Sequence, residues 1–216
     1  MRTVLIDYES GNLHSAEKAF QRMAREVDAG EVIVSARPED VADADRVVLP
    51  GDGAFPACRQ ALMEHSGLFE ALEEAVIARA RPFFGICIGM QMLATTGHEY
   101  ADRYGQTPGF GWIGGEVVRI TPADRALKVP HMGWNDLVIT RPHPVLAGVE
   151  SGRHAYFVHA WHFRVANEAD RLAHADYGGA ITAIVGRDNL VGTQFHPEKS
   201  QATGLRMIAN FLRWKP

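Results

Sequence analysis

The sequence predicts an α/β fold in which a doubly wound, mostly parallel central sheet is flanked by helices and carries an antiparallel portion in its C-terminal half. Two observations predict it. Short apolar runs bounded by turn residues alternate with helical patterns over the first hundred residues, as in a parallel sheet with crossover helices. After residue 115 strand-like runs follow one another with few helices between them, which suits antiparallel pairing.

In chain order, "TVLID" (3–7), "EVIVS" (31–35), "RVVLP" (46–50) and "PFFGI" (82–86) read as buried strands. Residues 12–25 place Leu13, Ala16, Ala19, Phe20 and Met23 on one helical face, and residues 66–80 do the same with Leu68, Leu72, Ala75, Val76 and Ala80. The later runs are "GEVVRI" (115–120), "DLVIT" (136–140), "HAYFVHAWHFRVA" (154–166), "RLAHADY" (171–177), "ITAIV" (181–185) and "LVGTQF" (190–195). A last helix, near 200–214, is apolar at Leu205, Ile208 and Leu212. No repeat, linker or low-complexity segment divides the chain, so 1–216 reads as a single domain.

Composition narrows the function. A net charge of -4 with scattered Lys and Arg leaves no electrostatic footprint for nucleic acid or an acidic membrane. Two cysteines, Cys58 and Cys87, form no disulfide framework and fit a reducing compartment. No run approaches the roughly 18 apolar residues of a membrane span, and the N-terminus lacks a signal-peptide core. The expectation is a cytoplasmic, globular chain.

In "FFGICIGMQML" a thiol stands between two glycines where a strand gives way to a helix. Gly85-Ile86-Cys87-Ile88-Gly89 is the thiol counterpart of the G-x-S-x-G nucleophile elbow, whose glycines relieve the crowding of a sharp turn. Cys87 at a helix N-terminus is placed to act as a thiolate, and the Ile88 N–H to bind an oxyanion. Cys58, without such flanks, reads as a buried structural cysteine. A thiol nucleophile needs a base and an orienter, and "GTQFHPEKSQ" (192–201) offers His196 and Glu198 directly after a strand. In an extended segment residues i and i+2 point to one side, so Glu198 can hold the His196 ring. Standing alone, the pair would read as a loop histidine beside a helix-capping acid.

"GICIGMQ" with "QFHPEKS" resembles the class I, or triad, glutamine amidotransferases. "IDYESGNLHSAEKAF" (6–20), "LPGDGAF" (49–55), "KVPHMGWN" (128–135), "YFVHAW" (156–161) and "QFHPEKSQATGL" (194–205) extend the resemblance to the glutaminase subunits of imidazole glycerol phosphate synthase. That family implies a flavodoxin-like sandwich and glutamine hydrolysis through a Cys thioester. It also implies delivery of ammonia to a cyclase subunit, a (β/α)₈ barrel, in a heterodimer of histidine biosynthesis, with no cofactor or metal.

Carried over by position, the resemblance makes Cys87 the nucleophile, His196 the base and then acid, and Glu198 the orienter. Gln91 and Glu99 would hold the α-amino-acid end of glutamine, and backbone around His159, Ala160 and Trp161 its carboxylate. This chain departs from the family pattern after "YFVH", reading Ala160-Trp161-His162 where a hydroxyl residue is expected, so only a main-chain contact survives there. Gly51, Asp52 and Gly53 of "PGDG" would supply a second oxyanion donor through a peptide that two glycines allow to flip. Asp52 replaces an apolar or amide residue and is expected to face outward. Asn12, Trp134, Tyr156 and Lys199 match cyclase-interface positions, and the isolated subunit would be nearly silent until the cyclase binds its ligand.

Other features carry less. "GFGWIG" (109–114) matches G-x-G-x-x-G but precedes a strand, so it reads as a turn and not as a dinucleotide site. His154, His159 and His162 alternate along a strand and therefore point to different faces, which opposes a metal cluster. Three alternatives stand beside the main reading: a glutaminase serving another synthase, which "KVPHMGWN" opposes; a non-catalytic regulatory subunit, which the intact Cys87, His196 and Glu198 oppose; and a thiol hydrolase active without a partner.

Overall fold

The computed structural model describes residues 1–9 and 13–216; Asn12 lies outside the described residues. The first half runs β1 (Arg2–Ile6), α1 (Leu13–Val27), β2 (Glu31–Ser35), α2 (Pro38–Ala42), β3 (Arg46–Leu49), α3 (Phe55–Glu64), α4 (Leu68–Glu73), β4 (Phe83–Ile86) and α5 (Ile88–Gln91). The second half adds β5 (Thr96–Gly97), α6 (Ala101–Tyr104), β6 (Thr107–Pro108), β7 (Gly115–Arg119), β8 (His131–Asp136), β9 (Val138–Ile139), β10 (His154–His159) and β11 (Trp161–Val165). It ends with β12 (Arg171–Asp176), β13 (Ala180–Arg187), β14 (Leu190–Thr193) and α7 (Gln201–Arg213). One eight-stranded sheet, in the order β2-β1-β3-β4-β14-β13-β12-β9, organises the chain. Its β2-to-β14 pairs are parallel and its β14-to-β9 pairs antiparallel.

Strand alternation explains why both faces of the sheet are covered. Adjacent residues of β4 point to opposite faces. Phe84 meets Phe20 of α1 and Phe211 of α7, at ring-centroid separations of 6.1 and 5.1 Å. Phe83 meets Trp112 edge to face at 5.6 Å, and Trp112 in turn meets Phe110 at 4.7 Å. The "GFGWIG" segment is thus a turn that packs its aromatic residues as a second core layer.

The structure corrects several boundaries. Residues 66–80 are not one regular helix: α4 passes into a π-helical turn over Glu74–Ala78, and the wider turn leaves Ala80 outside the buried face at φ 53°. The run 154–166 is two strands broken at Ala160, one paired with β8 and the other with β7. In "DLVIT" only Val138–Ile139 joins the main sheet, whereas "HMGWND" forms β8, a strand hidden by its glycine and polar residues. Residues 55–64, unassigned from periodicity, form α3, started by Pro56 in its first turn. β8 and β10 form a separate two-stranded ribbon beside the main sheet.

Close packing at the end of β4 depends on glycine. A Cβ on Gly89 would lie 1.8 Å from the Leu49 carbonyl oxygen, and one on Gly85 would lie 2.6 Å from the Gly89 carbonyl oxygen. Gly89→Ala should therefore destabilise the fold by about 1–3 kcal/mol or more, read as a lower denaturation midpoint. An unchanged midpoint would mean that α5 can move off β3 without cost.

Candidate active site

Cys87 sits between β4 and α5 with φ 55° and ψ −109°, a backbone conformation costly for any residue with a Cβ. The surroundings hold it there. Its N–H donates to the Thr193 carbonyl at 2.7 Å, and the N–H groups of Met90 and Gln91 donate back to its own carbonyl at 3.1 Å each. Ile88, the residue after Cys87, is the first residue of α5, where the N–H has no carbonyl within the helix to donate to.

Beyond β14, His196 and Glu198 come together as the sequence indicates, with His196 Nδ1 2.8 Å from Glu198 Oε1 and both side chains buried. Their connection is a 3₁₀ turn over Pro197–Lys199, and not the extended segment expected: proline at its first position fixes the turn. The Ser200 hydroxyl donates to the His196 carbonyl at 2.6 Å. The His196 N–H donates to the Tyr156 carbonyl at 3.1 Å, which ties this turn to β10. Burial pushes the His196 ring down, but the Cys87 sulfur and then the Glu198 carboxylate outweigh it and push the ring up to about 10. Nδ1 is taken by Glu198 and Nε2 is buried with no other partner, so Nε2 is the ring atom left to the sulfur. A charged imidazolium beside a cysteine can deliver a proton to a leaving group and leaves the sulfur to act as nucleophile.

The other predicted residues group around this pair. Gln91 is fully buried; its Nε2 donates to the Trp161 carbonyl at 3.0 Å and to Gln194 Oε1 at 2.9 Å, while its Oε1 has no partner. Glu99 Oε2 accepts the Phe55 N–H at 2.7 Å, and burial pushes its carboxyl up, with the Phe55 N–H pulling the other way. Gly51 is wedged against the elbow: a Cβ there would meet Tyr8 Oη at 2.7 Å and Ile88 Cβ at 2.8 Å. Asp52 is exposed, as expected, and its carbonyl accepts from the Cys58 thiol at 3.3 Å. Gly53 has φ 114° and open space around its Cα. The His159 ring meets His131 and the Trp161 carbonyl, and the Ala160 carbonyl accepts the Ile120 N–H.

Trp134, exposed at 49%, and Tyr156 meet edge to face at 5.7 Å as cross-strand partners of the β8–β10 ribbon. Lys199 is half-buried beside the triad turn. Among the described residues no group of three potential ligands could hold a metal ion, and no helix is long and apolar enough to cross a membrane. Sequence reasoning missed Gln194, whose Nε2 lies 3.6 Å from Cys87 Sγ. It also missed His131, which is 2% exposed and shares a hydrogen bond with His159. Gln194 stands two residues before His196, and that proximity was its available signal.

A thiol on a strand–helix elbow, faced by a carboxylate-bound imidazole at the C-terminal edge of parallel strands, defines a site fit for acyl transfer through cysteine. Comparison with known proteins narrows the class. The family model described as "Glutamine amidotransferase class-I" matches residues 4–214. Imidazole glycerol phosphate synthase subunit HisH of Cereibacter sphaeroides is 74% identical over 216 residues, covering all of both chains, and its counterpart from Ruegeria pomeroyi is 66% identical over the same span. A crystal structure of a glutamine amidotransferase superposes with a TM-score of 0.70 at 20% identity, covering 98% of this chain and 99% of that one. The glutaminase domain of Trypanosoma brucei CTPS, solved with bound acivicin, gives 0.65 at 13% identity, covering 100% and 95%. The chain belongs to the class I glutamine amidotransferases and, within them, to the family of imidazole glycerol phosphate synthase HisH subunits.

The raised His196 ring gives a direct test. Cys87→Ser removes the sulfur, so the His196 ring should titrate well below about 10 when followed by NMR. A ring still protonated at pH 9 in that variant would assign the whole effect to Glu198.

Proposed function

We propose that this chain, as one amidotransferase domain over 1–216, hydrolyses glutamine to glutamate and ammonia and passes the ammonia to the cyclase subunit of imidazole glycerol phosphate synthase in histidine biosynthesis. The single observation that carries the reading is the strained Cys87 elbow facing the His196–Glu198 pair in a chain 74% identical, end to end, to a HisH subunit. Cys87 Sγ attacks the side-chain amide carbon of glutamine. His196 gives its proton to the departing ammonia, and the thioester is then hydrolysed by a water that His196 deprotonates. Glu198 keeps the ring oriented. Ile88 N–H is one oxyanion donor and the 51–53 peptide the second. The unpartnered Oε1 of Gln91 and the buried carboxyl of Glu99 suit the α-ammonium of the substrate, and main-chain N–H groups near Ala160 suit its carboxylate.

Cytoplasmic location and a heterodimer with a (β/α)₈ cyclase follow from the same reading, with Trp134, Tyr156, Lys199 and the undescribed Asn12 on the docking face. An aromatic pair with Trp134 exposed and Tyr156 half-buried suits a hot spot. The 51–53 peptide is the proposed switch: without its donor the rate falls about 10²–10³-fold, a gap that partner and ligand binding can close through a few kcal/mol of coupling.

Cys87→Ala should abolish glutamine-dependent turnover while the complex still uses free ammonia; His196→Ala should be similarly severe and Glu198→Gln milder. Residual glutaminase within tenfold of wild type in Cys87→Ala would remove the assignment. Trp134→Ala and Lys199→Ala should weaken cyclase affinity or ammonia coupling without unfolding the chain, as measured by titration calorimetry. Wild-type affinity and coupling in both would displace the docking face. Full-rate glutamine hydrolysis by the chain alone would favour the independent hydrolase.

A further inference from the structure

The ribbon that carries exposed Trp134 and half-buried Tyr156 ends in two buried histidines. His131 and His159 are direct cross-strand partners, and His131 Nδ1 lies 2.9 Å from His159 Nε2. Their protonation is fixed by what surrounds them. His159 Nδ1 lies 2.9 Å from the Trp161 carbonyl, which can only accept, so Nδ1 carries the hydrogen. In a neutral ring Nε2 is then an acceptor, and His131 donates to it from Nδ1. His131 Nε2 must in turn accept, and Asn135 Nδ2 stands 3.2 Å away. The Asn135 amide is itself oriented, since Nδ2 also donates to the Asp176 carbonyl at 2.9 Å and Oδ1 accepts the Asp136 N–H at 2.8 Å. Burial keeps both rings neutral, pushing His131 down to about 4 and His159 to about 3.

The chain of bonds continues into the active site. The Trp161 carbonyl that accepts from His159 also accepts from Gln91 Nε2. That same nitrogen donates to Gln194 Oε1, and Gln194 Nε2 reaches Cys87 Sγ at 3.6 Å. Every intermediate link is buried or half-buried, where hydrogen bonds are least exchangeable with water.

We propose that Asn135, His131, His159, the Trp161 carbonyl, Gln91 and Gln194 form one hydrogen-bonded chain that transmits the position of the β8–β10 ribbon to the Cys87 sulfur, with His131 and Gln194 as positioning residues. The chain has one allowed arrangement of donors, running from Asn135 to the Trp161 carbonyl on one side and from Gln91 to the same carbonyl on the other. Movement of the ribbon therefore shifts the carbonyl and the Gln91 amide together, without breaking a bond. This proposal rests on the reading of the ribbon as the cyclase docking face.

Two substitutions separate hydrogen bonding from packing. His131 stacks between Tyr177 and Phe157, with centroids at 4.1 and 4.7 Å. His131→Phe keeps the stack and loses the bonds; His131→Asn keeps a donor where Nδ1 stood and loses the stack. In the complex with cyclase and imidazole glycerol phosphate, His131→Phe should lower the stimulated glutaminase kcat at least tenfold. His131→Asn should stay within about threefold, and both should leave cyclase affinity and turnover on free ammonia near wild type. Gln194→Leu breaks the chain at its far end, away from the ribbon, and should show the same loss as His131→Phe. The opposite ranking of the two His131 variants, or wild-type stimulation in Gln194→Leu, would overturn the proposal. If wild type itself shows no stimulation by the cyclase, the docking reading fails instead.

Discussion

The close approach of α5 to β3 is the constraint on which the rest of the structure depends. Gly89 lets the first turn of α5 lie against the Leu49 carbonyl, and the Met90 side chain fills the space over Gly192 of β14. With the helix so close, the chain leaving β4 has one residue in which to reverse direction, and that residue is Cys87 at positive φ. The conformation is unfavourable by itself. It persists because β3 and β14 pair with β4 on either side, and Thr193 holds the Cys87 N–H.

The same geometry assembles the site from distant parts of the sequence. β14 lies next to β4, so the residues that follow each strand emerge side by side: Cys87 after one, Gln194 and His196 after the other. β3 lies on the other flank and delivers the 51–53 segment, which Tyr8 braces by donating to the Pro50 carbonyl at 2.7 Å. Placement of ligands and reacting groups beyond the carboxyl ends of parallel strands is a consequence of topology. The chemistry is then specific to the side chains that happen to stand there.

Much of this was legible in the sequence because it is local. The elbow glycines, the apolar runs of the parallel strands and the two-residue spacing of His196 and Glu198 each carry their reason within a few positions. What was not legible depends on partners far along the chain. β8 has only Met132 and Trp134 as apolar residues, interrupted by Gly133 and followed by Asn135 and Asp136, and only its pairing with β10 makes it a strand. His159 was read only through its backbone; the use of its ring depends on His131 across the ribbon, 28 residues away in the chain. Ala80 fell off its helical face because a π-helical turn intervened, and nothing in the 3.6-residue period announces one.

The ribbon also shows why a site of this kind can be both rigid and responsive. The strained elbow is clamped by three adjacent strands of the main sheet, whereas β8 and β10 pair only with each other. A two-stranded ribbon has little stability of its own, so a force applied at Trp134 and Tyr156 moves it more readily than it moves β4. Its inner end is fastened to the site twice, through the Tyr156 carbonyl to the His196 N–H and through the histidine pair to Trp161. On the proposed docking face, displacement of the ribbon would act on His196 and on the Gln91 amide together, while Cys87 stays fixed by the sheet. In that proposal reactivity is set by how the movable half is presented to the immovable one, an arrangement in which a modest coupling energy suffices.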